Sequence, residues 1–116
     1  MITEHIPEFP SSHDPDDTVP RNVGIGRRLR DYGATFESAT VELDESNSDD
    51  ELEIFSVAYS AEKQRIGFMI RGGSVDAEAA DPNTGVTERG YLIRIRIQCS
   101  NGIRIDRSVW QRMRQH

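Results

Sequence analysis

The sequence has a single cysteine, a single lysine and no long hydrophobic run. Cys99 alone cannot form an internal disulfide, which fits synthesis in a reducing compartment. No apolar stretch approaches the roughly 20 residues that are needed to span a bilayer. Residues 1–20 also lack the basic start and apolar segment of a secretory signal. The sequence therefore predicts a soluble protein without a readable export address.

Histidine is scarce, and none of it falls in a predicted strand. His5, His13 and His116 lie near the two ends of the chain, and no pair has the spacing of metal ligands. A nucleophilic Ser, Thr or Cys would lack a neighbouring base on a rigid element. Three tyrosines and one tryptophan give little support for a sugar-binding platform. We therefore expect no catalytic residues, no metal, no cofactor and no enzyme activity.

Two short patterns resemble ligand-binding loops, but each lacks essential positions. Gly24-Ile25-Gly26 is followed by Leu29 where a dinucleotide-binding loop has its third glycine. The acidic segment 44–53 has neither the central glycine nor the final glutamate of a calcium-binding loop. We interpret the first pattern as strand and the second as a solvated loop.

The strongest local pattern is an alternation of apolar and polar residues over 91–110. Successive strand side chains point to opposite faces, so an alternation of this kind predicts one buried face. Asn101-Gly102 interrupts it with residues that accept the positive φ angles of tight hairpin turns. The segment therefore predicts a hairpin of strands 91–99 and 103–110, with four buried isoleucines: Ile93, Ile95, Ile97 and Ile105.

Turn residues divide the rest of the chain into further short strands. We predict strands over 19–30, 35–43, 52–60 and 65–71, and a loop over 74–88 that can hold a short edge strand or helical turn. The strand 52–60 has apolar residues on both faces, which predicts a central, covered position. The chain of 116 residues fits one domain. The fold class predicted is all-β, a β-sandwich of about seven antiparallel strands.

The first 18 residues are rich in proline and acids and lack hydrophobic periodicity. We predict an extended N-terminal arm over 1–18, followed by the sandwich domain over 19–116. The arm has too few apolar groups to dock firmly on its own domain. Ile6 and Phe9 are therefore predicted to contact another chain. Trp110 falls on the polar face of the last strand, so it is either core after a β-bulge or an exposed anchor for a partner.

Charge is unevenly distributed along the chain, whose net charge is −6. Residues 1–58 hold 4 arginines and 14 acids, whereas residues 59–116 hold 10 basic residues and 6 acids. Opposite faces of one domain could complement each other, or the acidic surface of one copy could meet the basic surface of the next, as in a ring. Nucleic acid is a poor partner for this balance.

The order of several weak motifs across residues 14–110 resembles a known family. The motifs are Asp14-Pro15-Asp16-Asp17, Arg28-Leu29 before Asp31–Thr35, Ser38–Val41, Ile66–Ile70 before Gly72-Gly73, and Tyr91–Ser100 leading through Gly102 to Asp106–Val109. In this order they resemble small immunoglobulin-like proteins of tailed bacteriophages, described as fibre–tail adaptor or neck structural proteins. Ile25 and Val41 stand where tryptophan is usual in that family.

The resemblance implies an immunoglobulin-like sandwich that serves as a structural subunit near the neck or tail of a virion. Such a subunit is made in the host cytoplasm and joins fibres or collar to the head–tail connector, in a symmetric multicopy assembly. It would have virion proteins as partners, and no nucleic acid or membrane. The alternatives are a capsid decoration (cement) protein and a cellular immunoglobulin-like binding module.

Overall fold

The computed structural model describes residues 7–80 and 84–115, which form eight strands and one short helix. In chain order these are β1 (Thr18–Gly24), α1 (Gly26–Asp31), β2 (Phe36–Leu43), β3 (Leu52–Ser60), β4 (Arg65–Gly72), β5 (Glu78–Ala80), β6 (Thr87–Arg89), β7 (Tyr91–Cys99) and β8 (Arg104–Gln111). Within these residues, no helix has both the length and the apolar character required to cross a membrane.

Six of the strands form two antiparallel sheets that pack face to face. One sheet has the strand order β1-β4-β3 and the other β2-β7-β8, while β5 and β6 pair as a separate small hairpin. The prediction of an all-β sandwich is confirmed. The described residues form eight strands rather than about seven because segment 74–88, predicted mainly as a loop, contributes to both strands of the small hairpin.

The core lies between the central strands of the two sheets. The inward-facing side chains of β4 and β7 are almost fully buried: Ile66, Phe68, Ile70, Ile93, Ile95 and Ile97. β7 and β8 pair without a register shift, and Ile97 lies opposite Ile105. The hairpin prediction and its four buried isoleucines are confirmed. Gly102 has φ +81° in the connecting turn, the backbone conformation that Asn-Gly turns supply.

The first predicted strand ends early, because residues 26–31 form α1 instead. Ile25 and Leu29 are 1% and 3% exposed, and the Leu29 N–H donates to the Ile25 carbonyl at 3.1 Å. Two apolar residues four positions apart share a strand face and also share a helix face. The pattern therefore fitted both structures, and the prediction of a strand through Arg30 is wrong.

β3 lies at the edge of its sheet, so the prediction of a central, covered position is wrong. A β-bulge interrupts its pairing with β4 between Phe55 and Ala58, and Ser56 there has φ +54°. Bulges are one way in which sheet edges are protected from pairing with another chain. Apolar residues fall on both parities of β3 because Phe55 faces outward beside Met69, whereas the bulge brings Tyr59 to the inner face, where it packs against the core.

Residues 7–14 of the predicted arm pack against the strand edge of β8. The Phe9 N–H donates to the Trp110 carbonyl at 3.0 Å, and the Trp110 N–H donates to the Pro7 carbonyl at 2.9 Å. Further along, the His13 N–H donates to the Arg112 carbonyl at 2.9 Å. These bridges are parallel and extend the β2-β7-β8 sheet by one short segment. The arm therefore closes one side of the sandwich.

Candidate interaction surfaces

Phe9 was predicted to contact another chain, and in the structure it belongs to the core of its own chain. Its side chain is 7% exposed, and its ring meets Phe68 edge to face with centroids 6.0 Å apart. The Arg21 guanidinium lies 5.7 Å from the centroid of the Phe9 ring. The prediction that the arm cannot dock on its own domain is therefore wrong. Ile6, the other predicted contact in the arm, lies outside the described residues.

Trp110 is buried, but not through a β-bulge. It pairs with Leu92 in regular register, and both side chains lie on the outer face of the β2-β7-β8 sheet. Ala79 of the β5–β6 hairpin completes this small second cluster and leaves Trp110 6% exposed. Gly90 is required beside the indole, since a Cβ there would lie 2.6 Å from the Gln111 carbonyl oxygen. Trp110 is therefore not an exposed anchor.

The outer face of the β1-β4-β3 sheet carries a cross-strand row of apolar side chains, Pro20, Met69 and Phe55, which we call the outer row. Pro20 is exposed, and Met69 and Phe55 are half-buried. Arg71 lies beside the row, with its guanidinium 4.5 Å from the Phe55 ring centroid. Aromatic, methionine and arginine side chains are enriched at protein interfaces. The outer row is therefore a candidate contact surface.

The Glu53 carboxylate holds Arg71 in place beside the Phe55 ring. Arg71 donates to both carboxylate oxygens of Glu53, at 2.6 and 2.7 Å. These hydrogen bonds lower the pKa of Glu53 and raise the pKa of Arg71. Because a bidentate pair fixes the orientation of the guanidinium plane, Arg71 is kept beside the Phe55 ring. The charged and apolar parts of this surface are thus ordered together.

A second candidate is a basic cleft beside α1, with a volume of about 410 Å³. Its lining residues are Arg27, Arg28, Asp31, Tyr32 and Arg107. Arg107 belongs to β8, the edge strand of its sheet, and lies opposite the buried Ile95 of β7. Its Nη1 donates to the Gly24 carbonyl at 3.1 Å. Tyr32 is 49% exposed. The cleft therefore combines guanidinium groups with one accessible aromatic ring.

The opposite end of the sandwich is acidic. In the loop between β2 and β3, the Tyr91 hydroxyl donates to Asp49 Oδ1 at 2.5 Å. Burial, followed by this hydrogen bond, raises the pKa of Tyr91 well above its usual range. Nearby, Asp14 Oδ1 accepts from the Asp16 N–H at 2.9 Å and shapes the loop before β1. Both acidic loops are thus held in defined conformations.

Among the described residues, no three His, Cys, Asp or Glu side chains are grouped so that they could hold a metal ion. Cys99 and His13 are both buried. Sequence reasoning missed both the outer row and the basic cleft. The signals were present: Phe55 on the second apolar face of β3, and the cluster Arg27-Arg28-Leu29-Arg30 before Tyr32. Each is a candidate contact surface.

Comparison with known proteins returned no match to a protein family, to a curated protein or to a solved structure. The surfaces of the sandwich, together with the order of motifs in the sequence, are therefore what supports a function.

Proposed function

We propose that this protein is a structural subunit of a tailed-phage virion, an immunoglobulin-like neck or tail adaptor. It would join fibres or collar to the head–tail connector through protein–protein contacts and would have no catalytic role. The order of motifs over residues 14–110 suggests this family, and the two-sheet sandwich is compatible with it.

The outer row is the observation that carries the proposal. A two-layer sandwich leaves the outer face of each sheet in water, where a polar surface is the norm. Here the row Pro20–Met69–Phe55 crosses all three strands of one sheet, with Arg71 packed beside it. Aromatic and arginine side chains dominate the binding energy of many protein interfaces. A flat, ordered surface of this chemistry suits docking on another folded protein.

Localisation in particles tests the proposal. A C-terminal affinity tag on the protein, expressed in the host that carries the gene, allows phage particles to be purified and labelled with gold against the tag. Gold at the neck or tail supports an adaptor. Gold spread over the head supports the capsid decoration alternative, and absence from purified particles supports a cellular binding module. Either of the last two results would overturn the proposal.

Substitutions in the outer row test the surface itself. The double variant Phe55→Ser/Met69→Ser should fold, because both side chains are only half-buried, yet its incorporation into particles should fall at least tenfold. Val86→Ser is the matched control, since Val86 is 59% exposed and lies outside the row. Far-ultraviolet circular dichroism and thermal melts verify folding. Equal incorporation of the double variant and the control would exclude the outer row as the docking surface.

A further inference from the structure

We propose that the basic cleft beside α1 binds the acidic β2–β3 loop of a second copy of this chain, so that copies associate head to tail. The inference rests on the proposed function, a subunit of a multicopy assembly, and names one of its partners. It depends on how the fold brings basic side chains from both halves of the chain to one end and acidic loops to the other.

The basic end comprises α1 and the two turns beside it. Ile25 and Arg30 contact Gln64 of the β3–β4 turn, and Thr35 bonds to Ser100 of the β7–β8 turn, so the three segments are neighbours. Segments 25–35, 61–65 and 100–107 hold seven basic side chains and three acids. The seven are Arg27, Arg28, Arg30, Lys63, Arg65, Arg104 and Arg107. This end is therefore positive.

The acidic end comprises loops 14–17 and 44–51. Loop 44–51 holds five acids and no basic residue, and loop 14–17 holds three acids and no basic residue. Both loops lie near Gly72 and Gly73, since His13 bonds to the Gly72 carbonyl and the Gly73 N–H donates to the Glu51 carbonyl. Glu45, Asp50 and Glu51 are exposed. The two loops together hold eight acids and no basic residue, although Arg94 Nε lies 3.8 Å from Asp44 Oδ2.

The two ends are separated by the length of the sandwich. β7 begins beside the acidic loop, where the Asp44 N–H donates to the Leu92 carbonyl, and it ends at Ser100 beside α1. Nine residues at about 3.3 Å each place the ends roughly 30 Å apart. Screening leaves little attraction between charges so far apart in one copy. Each copy is thus a dipole whose complementary surface is found on another copy.

A second copy suits the cleft better than other acidic partners. The net charge of −6 opposes binding of nucleic acid. Loop 44–51 has no basic residue of its own, and Asp49 and Asp44 are already anchored, the latter also by Arg94 of β7, which limits the entropy lost on docking. Arginine beside an exposed tyrosine is the composition of interface hot spots. Contact between unlike ends is heterologous and produces rings or filaments.

Sedimentation analysis of two variants, each with a weakened charge at one end, tests the inference. We call them the capped variants. Arg27→Ala/Arg30→Ala removes two of the seven positive charges of the basic end and introduces a residue that favours helix, and Asp50→Asn/Glu51→Gln removes two of the eight negative charges of the acidic end. The control Arg89→Ala/Arg114→Ala also removes two exposed positive charges, but from segments outside the basic end. Circular dichroism confirms that each variant is folded.

The wild-type protein should associate in low salt, with an average mass that rises with concentration. It should become monomeric in about 1 M salt, where the Debye length is about 3 Å. Each capped variant alone should be monomeric, while their equimolar mixture should stop at a dimer, because only one unlike pair of ends remains. The control should associate like the wild type.

Monomeric wild-type protein at all concentrations in low salt would overturn the inference, and so would undiminished association of either capped variant. A mixture of capped variants that stays monomeric would also contradict it. None of these outcomes bears on particle labelling, so a monomer that enters virions at the neck would refute head-to-tail association and leave the proposed function standing.

Discussion

Ile95 has no exposed surface and lies in the middle of β7, the central strand of its sheet. Replacing Ile95 with Ala removes three carbon atoms between two packed sheets that can collapse only partly into the gap. We expect the free energy of unfolding to fall by about 2–5 kcal/mol. Urea denaturation measures the loss. Val86→Ala, at an exposed site, is the control and should change stability by no more than about 0.5 kcal/mol.

His13 is a buried side chain whose protonation state should matter for stability. Its ring is 1% exposed, Nε2 donates to the Gly72 carbonyl at 3.1 Å, and Nδ1 is buried without a partner among the described residues. Burial is the main cause that lowers its pKa from the ordinary value of 6.5. Arg21 also lowers the pKa, whereas the Gly72 carbonyl, Asp17 and Asp14 oppose the shift. The folded protein therefore favours the neutral ring.

The direction of this shift predicts a loss of stability in acid. Below pH 6.5 the unfolded chain binds a proton that the folded chain resists, so the contribution of neutral His13 is complete above that pH and declines as pH falls toward the folded pKa. Melting temperatures of the wild type and His13→Gln, measured from pH 8 to pH 5, should converge as pH falls. The comparison cancels the titration of carboxylates common to both. A constant difference across that range would contradict the assignment.

At the scale of elements, the N-terminal segment contributes to the core. Phe9 packs against Phe68, and the backbone of residues 7–14 covers the edge of β8. Deleting residues 1–13 should therefore destabilise the domain by at least the roughly 3–5 kcal/mol typical of a Phe→Ala change in a core. Urea denaturation of the truncated protein measures this. The composition of the arm had predicted that it does not dock firmly on its own domain.

A shorter truncation tests whether the loss of stability comes from Phe9 and the backbone bridges rather than from shortening the chain. Removing residues 1–6 keeps Phe9 and His13 in place and should cost much less stability. Hydrogen exchange at the Trp110 and Arg114 amides, which donate to the Pro7 and His13 carbonyls, reports whether the bridges persist. If both truncations leave stability unchanged, the arm does not form part of the core.

The local elements differ in how far their sequences determined them. The β7–β8 hairpin was predictable because its apolar alternation and its Asn-Gly turn favour the same structure. α1 was not, because Ile25 and Leu29 satisfy both a strand and a helix. β3 was predicted at the centre of a sheet because apolar residues lie on both of its faces. An outward Phe55 that is covered by Arg71 gives the same sequence pattern as an outward Phe55 that is covered by another layer of structure.

At the scale of the whole molecule, acidic loop 44–51 is organised by the protein itself. Asp44 Oδ1 accepts from the Ser46 N–H, and Asp49 Oδ1 accepts from the Tyr91 hydroxyl and the Glu51 N–H. Calcium that binds either of these Oδ1 atoms would compete with the donors. We expect the melting temperature to change by less than about 1 °C in millimolar calcium, with magnesium as the control, because only an ion that binds the folded state raises it. A calcium-specific rise of several degrees would restore the loop as a metal site.

The sequence by itself determined the class of fold and most strand boundaries, because side-chain alternation and turn residues act over a few neighbouring positions. Tertiary structure decided which strands are central and where Phe9, His13 and Trp110 lie. The Phe9 N–H donates to the Trp110 carbonyl across about a hundred residues of chain, a contact that no local pattern encodes. The candidate surfaces also depend on contacts between residues that are far apart in the sequence. The outer row needs the register of three strands, and the separation of charge needs both ends of the sandwich to be in place.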